Sequence, residues 1–134
     1  MIESIFFVLW FFVPAGLANL AAFASGKIRF LKPFNHPVDG FIKFRGKRLL
    51  GSHKTVRGFV IGVSVGILTC YLQAYLYTQV PLLRQILPLD YQEIQPALLG
   101  FLLGFGALAG DVVKSFFKRR RGLQPGRSWF PYDQ

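Results

Sequence analysis

Residues 58–83 read GFVIGVSVGILTCYLQAYLYTQVPLL, 26 positions without a charged side chain. A helix rises about 1.5 Å per residue and needs roughly 20 residues to cross the hydrocarbon of a bilayer. This stretch is therefore long enough to span a membrane. Working outward, Ser4–Gly26 gives 23 uncharged residues toward the N-terminus and Ile94–Gly110 gives 17 toward the C-terminus. The third run sits at the short limit, with Asp111 expected at its interfacial end. The reading is an all-α integral membrane protein with three spans at about 4–26, 58–82 and 94–113.

The rest of the composition agrees. The 134 residues are 52% hydrophobic with 15 Phe, and the mean hydropathy is +0.39. That content excludes a disordered chain, and the single cysteine, Cys70, excludes a disulfide scaffold. The N-terminus begins Met-Ile-Glu, without the basic n-region of a cleaved signal. The first span is therefore expected to be retained, with Pro14 as a potential kink.

Charge decides the orientation. Between positions 25 and 57 nine basic residues face Asp39 alone, a net charge of +8. Between 84 and 93, Arg84 is outnumbered by Asp90 and Glu93, for −1. Beyond the third span six basic residues face Asp133, for +5. Basic segments remain in the cytoplasm. Loop 27–57 and tail 114–134 are separated by two spans, so both are expected on the cytoplasmic side of a single membrane domain, 1–134. The glycine ladders Gly58–Gly62–Gly66, Gly100–Gly104 and Gly106–Gly110 are expected to mark close helix packing.

Two segments carry chemistry. The loop closes on Arg45-Gly46-Lys47-Arg48-Leu49-Leu50-Gly51-Ser52-His53-Lys54-Thr55-Val56-Arg57-Gly58. Glycines allow close backbone approach, and Lys, Arg and hydroxyls donate to phosphate oxygens. The string is not a P-loop, because Ser52-His53 intervene before Lys54-Thr55. A polybasic stretch touching anionic headgroups is an equal reading. The second segment is Gly110-Asp111-Val112-Val113-Lys114-Ser115-Phe116-Phe117-Lys118-Arg119-Arg120-Arg121. Helical spacing puts Asp111, Lys114, Ser115 and Lys118 on one face. A carboxylate at a span's end is a candidate functional group, with an intrahelical pairing of Asp111 with Lys114 or Ser115 as the plainer alternative, and hard carboxylates suit Mg²⁺ with phosphate oxygens. Asp133 and Asp39 are the other acidic residues expected on that side. His36 and His53 make no zinc pattern with one cysteine, and Cys70 fits packing.

Together these segments resemble the CDP-archaeol synthase family, membrane cytidylyltransferases related to phosphatidate cytidylyltransferase. The resemblance rests on Pro37-Val38-Asp39, Gly46–Gly51, Lys54–Gly58, the Gly110–Arg120 string, Gly122, Gly126 and the closing Asp133-Gln134. It implies that CTP and a lipid phosphate, of the archaeal digeranylgeranylglyceryl type, give a CDP-lipid and pyrophosphate in phospholipid biosynthesis. It implies Asp111, Lys114 and Lys54 as catalytic residues. Lys54, Thr55, Arg57, Lys114, Lys118 and Arg119 would bind substrate phosphates, and Asp111 and Asp133 would hold Mg²⁺. The family pattern continues beyond Asp-Gln, so the chain is expected to be a fragment of a longer domain that inserts in membranes yet forms little or no CDP-lipid. Expected partners are CTP, the lipid phosphate and membrane lipids, with self-association left open and no nucleic acid. The location is the cell membrane, multi-pass, with a cytoplasmic active face. The competing reading from a different class is a non-catalytic basic scaffold or anionic-lipid-binding protein.

Overall fold

The computed structural model describes residues 2–28, 36, 43–44, 47–48 and 55–120, with backbone alone at the strand residues and at 118–120. Helix α1 spans Ile2–Ser25, α2 Val56–Gln79, α3 Pro81–Ile86 and α4 Pro96–Arg120. Two short strands, β1 (Lys43–Phe44) and β2 (Lys47–Arg48), pair antiparallel within the basic loop, Lys43 opposite Arg48 and Phe44 opposite Lys47. Three helices are long and apolar enough to cross a membrane: Ile2–Ser25, Val56–Gln79 and Pro96–Phe117. Their outward faces carry Leu20, Phe23, Val60 and Leu68, each more than half exposed. In a bilayer those side chains are solvated by lipid.

The helix ends follow from local chemistry. Thr55 lies in an extended conformation and its Oγ1 accepts from the Gly58 N–H at 3.2 Å, capping α2. The Val56 N–H, another first-turn donor, is taken by the His36 carbonyl at 2.9 Å. At its other end α2 stops at Gln79 rather than near 82, because Pro81 has no N–H and starts α3 instead. Arg84 turns back there, with Nε donating to the Tyr77 carbonyl at 3.1 Å and Nη2 to that of Thr78 at 2.6 Å. A cation on the last carbonyls complements the helix dipole. Helix α4 runs seven residues past the expected end at 113. Lys and Arg are good helix formers and are favoured in a last turn, so the basic cluster continues the helix.

Packing of the long helices is a glycine seam. A Cβ on Gly62 would lie 2.7 Å from the Ala18 carbonyl oxygen of α1 and 2.8 Å from Leu108 Cδ1 of α4. One on Gly66 would lie 2.9 Å from the Gly100 oxygen, and one on Gly100 2.5 Å from Ile67 Cα. No side chain fits at these positions. Lipid offers little hydrophobic drive for association, so helices are held by such backbone proximity and dispersion. Phe59 and Phe105 add an edge-to-face ring contact at 5.3 Å. Gly106 and Gly110 do not join the seam, as a Cβ on either would meet nothing within 4 Å. Gly106 is two residues from Gly104, which turns it to the opposite side of α4.

Pro14 leaves α1 continuous and is itself buried. Lacking an N–H, it cannot bond the carbonyl four residues earlier, that of Trp10. Gln73 of α2 fills the gap across the interface, its Nε2 donating to the Trp10 carbonyl at 2.6 Å. Beyond it, Tyr77, Leu83, Leu87 and Tyr91 form an apolar cap with Phe7 and Trp10. That cap closes the end of the bundle opposite the basic segments.

Two outcomes follow for detergent-solubilised protein followed by thermal denaturation. Gly100→Ala should push α2 and α4 apart and cost about 1–3 kcal/mol, as overpacking does, whereas Gly110→Ala should be neutral or slightly stabilising. Gln73→Leu should cost about 1–3 kcal/mol by orphaning a carbonyl, and less in a Pro14→Ala background, where the restored N–H can serve Trp10. An equal loss in both backgrounds would contradict the pairing.

Candidate active site at the basic end

The seam sets the depth of every group along it. Gly66 lies against Gly104 and Gly62 against Leu108 of the antiparallel α4. The backbone contacts of Gly100 with Ile67 and of Gly104 with Val63 extend, seven residues further along each helix, to Asp111 level with Val56, so Arg57 and Asp111 stand within one residue of the same depth. On α1, Gly62 meets Ala18, and Gly58 meets the Ala22 carbonyl at 3.2 Å and Ser25 Oγ at 3.5 Å from the position of a Cβ. The C-terminus of α1, the N-terminus of α2 and the C-terminal part of α4 therefore end together. Both basic segments leave the bundle from this end.

The polar groups there differ in burial. Arg57 is 6% exposed although it is an arginine in the first turn of a helix. A charge so buried must be engaged to persist, and Arg57, Asp111 and Lys114 are each in contact with interacting groups. Asp111 is half-buried and Lys114 exposed. Asp111 follows Gly104 by seven residues, two helical turns, and so shares the face of α4 that packs on α2. Ser25 is buried, its Oγ donating to the Ala22 carbonyl at 2.7 Å. Lys27 lies just beyond, its Nζ 5.1 Å from the centre of the Phe23 ring. Thr55 uses its oxygen as the cap of α2 and keeps its hydroxyl hydrogen for a further acceptor.

Of the residues expected from sequence, the structure thus brings Thr55, Arg57, Asp111 and Lys114 to one end of the bundle. Lys118 and Arg119 continue along α4, toward its C-terminus. Lys54 and Asp133, like Asp39, lie outside the described residues. Sequence reading passed over Ser25, a small polar residue at a helix end with no motif around it. It also passed over the burial of Arg57, which appeared as one more member of a basic run.

The cations at this end suit an anion. The N-terminus of α2 presents the positive end of its dipole beside Arg57. Asp111 is the acidic side chain at this end among the described residues, and no group of three or more His, Cys, Asp or Glu gathers among them. One carboxylate fits a Mg²⁺ that takes most of its oxygens from substrate phosphates and water. It does not fit an all-protein cage. The arrangement can hold a polyphosphate by its cations while leaving one carboxylate for a metal shared with that phosphate.

Comparison with known proteins is consistent with this chemistry. The family profile described as "CarS-like: CDP-archaeol synthase" matches residues 1–134. A CDP-archaeol synthase of Thermococcus gammatolerans is 43% identical over 135 aligned residues, covering 99% of this chain and 69% of that protein. One of Thermococcus kodakarensis is 39% identical, with the same coverage. One of Halobacterium salinarum is 35% identical, covering 100% of this chain and 68% of the relative. No solved structure matches the chain significantly.

Proposed function

The chain belongs to the CDP-archaeol synthase family, and on that premise we propose how its basic end serves the reaction. The activity is that of a CTP-dependent cytidylyltransferase of lipid biosynthesis, acting as a multi-pass membrane protein. A phosphate oxygen of the lipid attacks the α-phosphorus of CTP. A new P–O bond forms there, the bond to the β-phosphate bridge breaks, and pyrophosphate leaves. The products are a CDP-lipid and pyrophosphate.

In this reading the chain contributes positioning and charge. Lys54, Thr55, Arg57 and Lys114 hold the phosphates near the bundle end, with Lys118 and Arg119 extending the clamp along α4. Cations aimed at developing negative charge are what such a transfer requires. Asp111, with Asp133, is assigned to Mg²⁺, which when bound neutralises charge on the triphosphate and the leaving pyrophosphate. Arg57, fixed by burial at the depth of Asp111, orients the phosphate between α2 and α4. The active face is cytoplasmic by the positive-inside argument. That places CTP in its own compartment and the lipid phosphate at the adjoining interface. The substrate lipid is of the digeranylgeranylglyceryl phosphate type.

The observation that supports the reading is the convergence of Thr55, Arg57, Asp111 and Lys114 on one end of a bundle whose opposite end is capped by apolar side chains. An anchoring protein has no use for a carboxylate held at the depth of a buried arginine. The test is CDP-lipid formation by protein reconstituted with CTP, Mg²⁺ and the lipid phosphate. Asp111→Asn should lower turnover by about 100-fold or more, since a tenfold change corresponds to about 1.4 kcal/mol and the lost electrostatic stabilisation amounts to several kcal/mol. Lys54→Ala and Arg57→Ala should each weaken substrate use strongly, and Lys43→Ala only slightly. Equal small effects at all four positions, with normal membrane insertion, would favour lipid anchoring instead.

A further inference from the structure

The face of α1 turned away from the bundle carries an amide at lipid depth. Asn19 is exposed. It stands six residues before Ser25, the last residue of α1, which is about 9 Å along the axis. The 24 residues of α1 outreach the roughly 30 Å of hydrocarbon only slightly, so Asn19 lies within the apolar layer. Among the described residues its side chain makes no hydrogen bond. A polar side chain facing lipid is costly and is a strong drive for one helix to meet another.

Asn19 belongs to a stripe with a definite period. Ile5, Leu9, Phe12, Gly16 and Asn19 follow one another at steps of four, three, four and three residues. That alternation is the seam of a left-handed coiled coil, along which two helices stay in contact over their whole length. Ile5, Leu9 and Phe12 are each more than half exposed, and a Cβ on Gly16 would meet nothing within 4 Å. Pro14 and Ala18, on the opposite side of α1, are the residues buried in the bundle. Near the outer end of the seam an open, mostly apolar depression of about 370 Å³ is lined by Ser4, Ile5, Val8 and Leu9. No residue from Ser4 to Gly26 is charged, so no ion would be buried by covering this face.

We propose that this seam joins two copies of the chain about a two-fold axis along the membrane normal, with Asn19 bonded to Asn19 of the partner subunit. The distribution of basic residues gives every copy the same orientation. Two copies therefore run α1 parallel to α1 and hold Asn19 at one depth. A two-fold interface sets each seam residue beside its own counterpart. Asn19 is the seam residue that gains from meeting itself, because an amide both donates and accepts, and two of them are electrostatically complementary. Gly16, one turn away, lets the backbones approach closely enough for the amides to meet. A single Asn in an otherwise apolar seam also fixes register and the number of helices. A helix of another protein would need a matching polar group at this depth, whereas a second copy carries one by construction. The seam faces away from α2 and α4, so the basic end of each copy stays open and the inference does not rest on the chemistry assigned there.

Oxidative cross-linking of the full chain, in the membranes of the cells that produce it, tests the seam in a Cys70→Ala background. Phe12→Cys should give a disulfide-linked dimer of the chain several-fold faster than Leu17→Cys, which lies on α1 but to one side of the seam. Energy transfer between labelled copies in lipid vesicles then measures the strength of association. Asn19→Leu, which suits the bilayer at least as well, should weaken association about tenfold through loss of the interhelical amide bond. Asn19→Gln keeps the amide and should weaken it less. Equal cross-linking at positions 12 and 17 would overturn the proposal, as would a Phe12→Cys product that joins the chain to a different protein. Association of Asn19→Leu as strong as that of the unaltered chain would do the same.

Discussion

Backbone-to-backbone approach along one glycine seam is the constraint on which everything else in this protein depends. Gly62 admits the Ala18 carbonyl, and Gly66 and Gly100 admit each other's backbone at distances that a Cβ would forbid. In water a bundle can be held by burying leucine. In lipid the outward face of a helix is as well solvated as its inward face, and close contact of small residues must hold the helices. Such contact is also precise. A large side chain can repack, but a helix seated on its neighbour's backbone has little freedom to slide.

Register is the functional product of that seam. Three helix ends are brought level, and with them Ser25, Arg57 and Asp111, without any of these residues needing to find the others. The burial of Arg57 follows, because its neighbour Gly58 lies against α1 and draws the first turn of α2 into the bundle. In the proposed reading, phosphate chemistry at this end would use a helix dipole, a fixed guanidinium and a carboxylate on a rigid element. Groups on helices are placed more accurately than groups on loops, which matters for a transfer whose catalysis is mostly positioning. The opposite end is built differently. Its aromatic cap and the Pro14–Gln73 link tie α1, α2 and α3 together away from the chemistry.

Much of this was legible in the residues. Uncharged runs of sufficient length located the three spans, and the charge of the intervening segments put both basic stretches on one side. The four-residue spacing of Gly58, Gly62 and Gly66 marked a packing face correctly. The same spacing at Gly106 and Gly110 did not, because a repeat identifies a stripe on a helix but not the direction in which it points. Helix α3 went unread because its burial depends on Tyr77 and Tyr91, which are distant in sequence and share no local period. A charge-based boundary put the start of the second span at Gly58, whereas the Thr55 cap places Val56 and Arg57 inside the helix. Asp111 and Lys114 were legible as a face of α4. What one sequence could not supply was their depth relative to Arg57, a property of helix register.

That shared depth is the central claim, and proximity can be measured directly. In a Cys70→Ala background, Arg57→Cys and Asp111→Cys should be joined within one chain by a short bismaleimide, read as an intramolecular cross-linked species by mass spectrometry. Arg57→Cys paired with Gln92→Cys, at the capped end, should give no such product. Failure of the first pair to cross-link, or cross-linking of the second, would contradict the register and the site built on it.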